Sequence, residues 1–292
     1  MNIVLFGKNG QLGWEFQRSL PLLGNVAALD RGDLDLCDLE AVQKVLREVR
    51  PSLIVNASAY TDVDGAETKP DMARTINALA PGVMAETARE LGAVLVHYST
   101  DYVFDGGAKT PYTEMDPTNP LNMYGKSKLE GEEHVQQAAG AYLILRTSWV
   151  YSLRGNSFVN KVLTWARKNS TLRIVDDQVS GPTWARMLAE ITVLALAQNQ
   201  ANGYESIRER SGVYHLAGSG FVSRYEWAKQ IVANDPRRAE QTVQGVEPVR
   251  SAEFPTPATR PLFSALDCSH FQETFDLQLP PWDRTLELAM AG

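Results

Sequence analysis

The first stretch of the chain constrains its fold more than any other. Asn2-Ile3-Val4-Leu5-Phe6 is a short unbroken apolar run, the pattern of a parallel strand buried on both faces. It runs straight into Gly7-Lys8-Asn9-Gly10-Gln11-Leu12-Gly13, and Trp14 to Leu20 continues as a helix. Strand, glycine-rich turn and helix in that order make a phosphate cradle. Glycines permit the tight turn and close approach of backbone to a ligand. The helix N-terminus adds N–H donors and the positive end of its dipole. The spacing is G-x-x-G-x-x-G rather than G-x-G-x-x-G, and the physical roles are similar. A glycine-rich loop without a ligand is the alternative; position directly after a buried strand favours a dinucleotide.

The same alternation then repeats. Asn25 to Leu29 is a strand ending at Asp30, about 20 residues beyond the glycines and placed to accept from an adenine-ribose 2′-OH, which favours NAD. Arg31 beside it suits a 2′-phosphate, which favours NADP, so the two neighbours predict poor discrimination. Asp33 to Asp38 leads into an amphipathic helix over Leu39 to Arg50, ended by Pro51. Leu53 to Asn56 is a third strand, followed by the small-residue turn Ala57-Ser58-Ala59-Tyr60-Thr61. A long helix over Asp71 to Leu91 precedes a fourth strand, Val94 to Tyr98. Asn122 is placed to cap a helix that starts near Tyr124 and runs to about Ala138, before a fifth strand over Tyr142 to Arg146.

Strand and helix alternating about five times specify a parallel sheet with helices on both faces. Beyond residue 150 the regularity loosens. Helices are predicted over Ser157 to Lys168, Trp184 to Asn199, Ser223 to Ala233 and from about Trp282. Short strands are predicted over Leu172 to Val175 and Val213 to Leu216, and Pro248 to Pro261 is rich in proline. The expected organisation is an α/β dinucleotide-binding domain over residues 1–150 and a smaller mixed lobe over 151–292, with some of its segments returning to the first domain.

Composition narrows the function. A net charge of −7 without a basic block argues against nucleic-acid binding; an anionic ligand must be held by backbone dipoles and a few placed cations. No run approaches a membrane span, and the N-terminus lacks the length and basic flank of a signal, so the chain reads as cytoplasmic. Cys37 and Cys268 read as thiols in a reducing compartment, and His97, His134, His215 and His270 lack zinc-like spacing. The chemistry points to Tyr124 and Lys128, which stand one turn apart on one helix face. An ammonium beside a phenol lowers the phenol's pKa and makes it a proton donor or acceptor near neutral pH. Ser99 and Thr100, at a strand end, turn hydroxyls toward the ligand side; strand capping is the alternative.

These motifs resemble those of the extended short-chain dehydrogenase/reductase superfamily and, within it, of the dTDP-4-dehydrorhamnose reductase family. The resemblance spans nearly the whole chain. It is carried by Gly7 to Gly13, Ser99 to Phe104, Tyr124 to Glu132, Arg146 to Tyr151, Asp177 to Thr183, Pro255-Thr256-Pro257 and Arg260-Pro261. It implies a Rossmann-type doubly wound parallel sheet with a smaller mixed α/β C-terminal substrate-binding lobe. It further implies that Thr100, Tyr124 and Lys128 are catalytic and that Gly7, Gly10, Gln11, Leu12 and Gly13 form the pyrophosphate loop. Asp30 would contact ribose, Asp35 and Leu36 would flank adenine, and Ala59, Tyr60 and Thr61 would run along the cofactor, with Tyr124 and Lys128 also touching it. Thr100, Asp101 and Trp149, with Tyr102, Val63 and Arg260, would hold the sugar nucleotide.

The implied reaction is NADPH- or NADH-dependent reduction of the C4 keto group of dTDP-4-dehydro-β-L-rhamnose. It is the final step of dTDP-L-rhamnose synthesis for cell-surface polysaccharide. Tyr102 stands where related dehydratases carry a glutamate, which disfavours elimination. Another nucleotide-sugar reductase, an epimerase, or a non-catalytic NADP-binding regulatory subunit are the alternatives. Some members dimerise around Mg2+. Glu15 matches one position of that site, but Arg186 stands at the second and the chain ends Ala289-Met290-Ala291-Gly292 without a glutamate. A magnesium bridge is therefore disfavoured; were Arg186 to face Glu15 across an interface, a salt bridge would take its place. A monomer or homodimer is expected, with a dTDP-sugar as partner and neither nucleic acid nor membrane.

Overall fold

A computed structural model describes residues 1–200 and 205–291. β1 (Asn2–Phe6) leads through α1 (Gln11–Ser19) to β2 (Asn25–Leu29), and α2 (Leu39–Val49) leads to β3 (Leu53–Asn56). The helical stretch that follows is broken into α3 (Val63–Thr68), α4 (Pro70–Arg74), a π-helical turn over Thr75–Leu79, and α5 (Ala80–Leu91). β4 (Val94–Thr100), α6 (Met123–Gln137) and β5 (Ala141–Thr147) complete the regular alternation. The ends are set locally. Asp38 caps α2 on the Ala41 N–H, Asn122 caps α6 on the Gly125 N–H at 2.8 Å, and Gly92 ends α5 with a φ of 68°.

The remaining chain supplies β6 (Val150–Tyr151), α7 (Phe158–Ala166), β7 (Thr171–Val175), β8 (Val179–Ser180), β9 (Thr183–Trp184), α8 (Ala185–Gln198) and α9 (Glu205–Glu209). β10 (Gly212–His215), β11 (Val222–Ser223), α10 (Arg224–Ala233), β12 (Gly245–Val249), α11 (Ser269–Phe275) and α12 (Trp282–Ala291) follow. Gly292, the last residue of the chain end read above, lies outside the described residues.

The six-stranded sheet has the order β10-β5-β4-β3-β1-β2, parallel throughout. β10 comes from the C-terminal half of the chain, and it closes the sheet beside β5. One face buries Leu5, Phe16, Val96, Leu188, Ile191 and Phe271, so α1, α8 and α11 cover it; α2 and α5 cover the other through Val42, Leu46, Met84 and Ala88. A separate core of Tyr151, Val162, Trp227, Ile231 and Leu286 is built from residues beyond 150. β12 runs into the start of the proline-rich stretch and pairs in parallel with β7 alone, a two-stranded ribbon in which Pro248 costs no central ladder bond. Between β1 and β3 the strand order reverses. A crevice at the C-terminal strand ends is the consequence of that reversal.

Candidate active site

The crevice is a cavity of about 990 Å3 at the C-terminal ends of β1, β3, β4 and β5. Gly7 adopts a φ of 88°, and a Cβ there would stand 2.9 Å from the Ala57 carbonyl oxygen. A Cβ on Gly13 would stand 1.9 Å from the Gly7 carbonyl oxygen. Side chains are thus excluded where the turn meets its own helix and the next strand. Gly7, Gly10, Gln11 and Leu12 line the cavity, and Gly13 lies behind them. Asp30, Arg31, Asp35 and Leu36 line its far end. Asp30 there accepts from the Gly32 N–H at 2.8 Å and from the Asn9 amide, while Asp33 pairs with Lys8 at 2.6 Å. A carboxylate, Asp30, and a cation, Arg31, stand side by side.

Ala59, Tyr60 and Thr61 line the middle of the cavity. Asn77, fully buried in the π-helical turn, holds that segment in place. Its Oδ1 accepts from the Tyr60 N–H at 2.8 Å, and its Nδ2 donates to the Tyr60 carbonyl at 3.2 Å and to Ser127 Oγ at 3.0 Å. Ser127 Oγ donates in turn to the Tyr124 carbonyl at 2.9 Å. The turn beside the cavity is therefore tied to the helix that carries Tyr124. A glycine cradle at a helix N-terminus, an acid and a cation at one end and hydroxyls at the other suit a dinucleotide.

Thr100, Tyr124 and Lys128 converge on the inner end of the same cavity. The phenol of Tyr124 faces Thr100. Burial raises the Tyr124 pKa, and Asp101 and Tyr102 add to the rise while the Thr100 hydrogen bond opposes it. This corrects the lowering expected from Lys128. The lysine ζ-nitrogen instead donates to the Tyr98 carbonyl at 2.6 Å and lies 3.3 Å from His97 Nε2. Burial brings the Lys128 pKa down to about 8, against the pull of Glu132. Ser99 Oγ donates to Glu132 Oε1 at 2.5 Å, and Glu132 is forked by Arg146.

Asp101 and Trp149 also line the cavity. Asp101 accepts from Thr100, Ser180 and Ser264 at 3.2, 3.1 and 2.5 Å. Trp149 has a φ of 40°, uncommon for a residue with a Cβ; its ring stacks on Trp227, and the Arg224 guanidinium stands 3.7 Å from its centroid. Tyr102, Val63 and Arg260 do not line the cavity. The Tyr102 ring packs edge-on against Tyr124 at 5.8 Å, and Val63 begins α3. Arg260 is forked onto Asp64, at 2.7 Å from Nη2 to Oδ2. Sequence reasoning missed Asn77, His97, Ser180, Ser264 and Arg224. The four serines, asparagines and arginines among them meet the site only through contacts between distant segments, and His97 carries a visible signal only in its place on β4.

Glu15 pairs with Arg186 at 3.3 Å and Arg18 at 3.5 Å within this one chain, so the two meet without a partner subunit. A carboxylate matched by two guanidinium groups does not fit a magnesium ligand, and among the described residues no three His, Cys, Asp or Glu side chains cluster as a metal site. Among the described residues no helix is long and apolar enough to cross a membrane.

A family model described as the RmlD substrate binding domain matches residues 1–292. The chain is 43% identical over 291 residues to the dTDP-4-dehydrorhamnose reductase of Salmonella typhimurium, covering 97% of this chain and 95% of that protein. A dTDP-4-dehydrorhamnose reductase structure from Clostridium acetobutylicum superposes with a TM-score of 0.90 at 36% identity, covering 100% of this chain and 99% of that one. One from Bacillus anthracis, in complex with NADP, superposes with a TM-score of 0.89 at 34% identity, covering 99% and 98%.

Proposed function

We propose, for a chain that belongs to the dTDP-4-dehydrorhamnose reductase family, the NADPH- or NADH-dependent reduction of dTDP-4-dehydro-β-L-rhamnose at C4 to give dTDP-L-rhamnose. One observation carries this reading. The glycine turn and the Thr100, Tyr124 and Lys128 side chains open onto one cavity, so a dinucleotide and a carbonyl meet at the same wall. The bound dinucleotide supplies the hydride. Tyr124, whose pKa burial raises still further above neutrality, keeps its proton until it donates it to the C4 oxygen. The Thr100 hydroxyl steadies the charge developing on the oxygen. Lys128, anchored on the Tyr98 carbonyl, presents its remaining N–H groups to the cofactor ribose. Asp101 and Trp149 position the sugar, and Gly7 to Leu12 receive the pyrophosphate on backbone donors.

The smaller lobe, built mainly from residues 151–292, holds the nucleotide end of the substrate. On this reading the protein works in the cytoplasm as a monomer or homodimer, without nucleic acid, and its product feeds cell-surface polysaccharide.

The test is turnover with each reduced cofactor and the 3,5-epimerised dTDP-4-keto-6-deoxy sugar, followed at the nicotinamide absorbance with identification of the product. Rhamnose nucleotide is expected, and Tyr124→Phe is expected to lower kcat by about 10^2–10^4 with cofactor affinity kept. No oxidation of either cofactor, or a Tyr124→Phe variant as fast as the parent, would sink the proposal.

A further inference from the structure

His97 is fully buried on β4, beside its register partner Asn56 on β3. Asn56 Oδ1 accepts from the Ser58 backbone N–H at 3.1 Å and from the Ser58 hydroxyl at 2.5 Å. A backbone N–H is a donor in every state, so the amide oxygen must face it and the amide nitrogen faces away. That nitrogen stands 3.0 Å from His97 Nδ1. Nδ1 therefore accepts, and the single proton of the neutral ring sits on Nε2. The doubly protonated ring is disfavoured by burial and by the charge of Lys128. Nε2 stands 3.3 Å from Lys128 Nζ. The ring thus aims an N–H at the lysine, and only an amine with a lone pair receives it.

We propose that His97 is a positioning residue, locked by Asn56 and Ser58 as the Nε2–H tautomer, whose donor faces Lys128 Nζ and biases that lysine toward its neutral amine. Its ammonium is then a stronger acid than an ordinary lysine, losing its proton to water at lower pH. The other groups facing Lys128 are few. Glu132, one turn on along α6, favours the ammonium, but Arg146 from β5 forks it. Tyr124 stands one turn back, and Asp101 follows β4 on the cavity side. Asn56 from β3 is uncharged. The consequence for turnover rests on the reductase reading, whereas the tautomer and the lysine's proton affinity do not.

The experiment therefore uses no substrate. Full-length protein carrying 15N-histidine is examined by NMR at pH 7, with His97→Gln identifying the signal. Nδ1 is expected at the shift of a bare ring nitrogen and Nε2 at that of a protonated one; the reverse assignment overturns the proposal. In protein carrying 13Cε-lysine, the titration midpoint of Lys128 is expected to rise by about one pH unit in His97→Gln, whose amide oxygen can turn to accept from the ammonium. An unchanged midpoint, in a variant with the parent's unfolding temperature, also overturns it.

Discussion

Three hydroxyls, from Thr100, Ser180 and Ser264, converge on the buried carboxylate of Asp101. Burial pushes its pKa up to about 6, and the hydrogen bonds keep it from rising further. An acid whose folded pKa lies above its unfolded value favours folding below the unfolded value, and that advantage is lost as pH rises through the folded one. Ionised Asp101 is thus tolerated at a cost of about 3 kcal/mol at most. Asp101→Asn is expected to gain on the parent by about 2–3 kcal/mol as pH rises from about 4 to 7.5, read by urea unfolding at both pH values. A stability difference that stays flat with pH would show that the carboxylate ionises freely. Tyr124 and Asp101 were both visible in the sequence as polar residues at a helix start and a strand end. Their environments were not. Ser180 and Ser264 reach Asp101 from segments far along the chain, and the rise in the Tyr124 pKa comes from enclosure that no spacing rule reports.

The elements were legible where their cause is local. β1, β2 and β3 are unbroken apolar runs, and their expected bounds match the structure. The long helix expected over Asp71 to Leu91 was not legible in detail. The π-helical turn inside it carries Asn77, which reaches both Tyr60 and Ser127, contacts set by neighbours rather than by helical periodicity. α3 escapes the sequence reading because it is only six residues long and is fixed by the Asp62 cap on the Gly65 N–H. The contact between the π-helical turn and α6 is close enough to test. A Cβ on Gly131 would stand 2.1 Å from the Asn77 carbonyl oxygen, which is backbone and cannot step aside. Gly131→Ala is therefore expected to destabilise by about 1–3 kcal/mol despite alanine's better helix propensity. It should also weaken cofactor binding through the Tyr60 segment. Thermal unfolding and a cofactor titration check both effects, and a variant as stable as the parent would show that the two helices are free to separate.

At the scale of the molecule, segments far apart in the chain are joined by side chains. Arg260, from the segment after β12, forks onto Asp64 of α3 and also donates to Thr256 Oγ1 at 2.5 Å. A double-mutant cycle of Asp64→Asn and Arg260→Gln is expected to give a coupling of about 1 kcal/mol in unfolding. The KM for the sugar nucleotide should rise in both single variants while cofactor affinity holds; additive variants would mean that the fork contributes nothing. The larger sheet is shared in a second way. Its sixth strand, β10, is one of the segments beyond residue 150 that return to the first sheet, and nothing in Gly212–His215 alone says which edge it will join. That order of assembly matters while the protein is being made. The first five strands leave the ribosome well before β10, and at ordinary elongation rates the interval is on the order of several seconds. During it the nascent chain carries β5 as an open margin, with the apolar faces that α8 and α11 will cover still wet. A chaperone that holds the nascent chain has its clearest task there, and slow codons between β5 and β10 would prolong it.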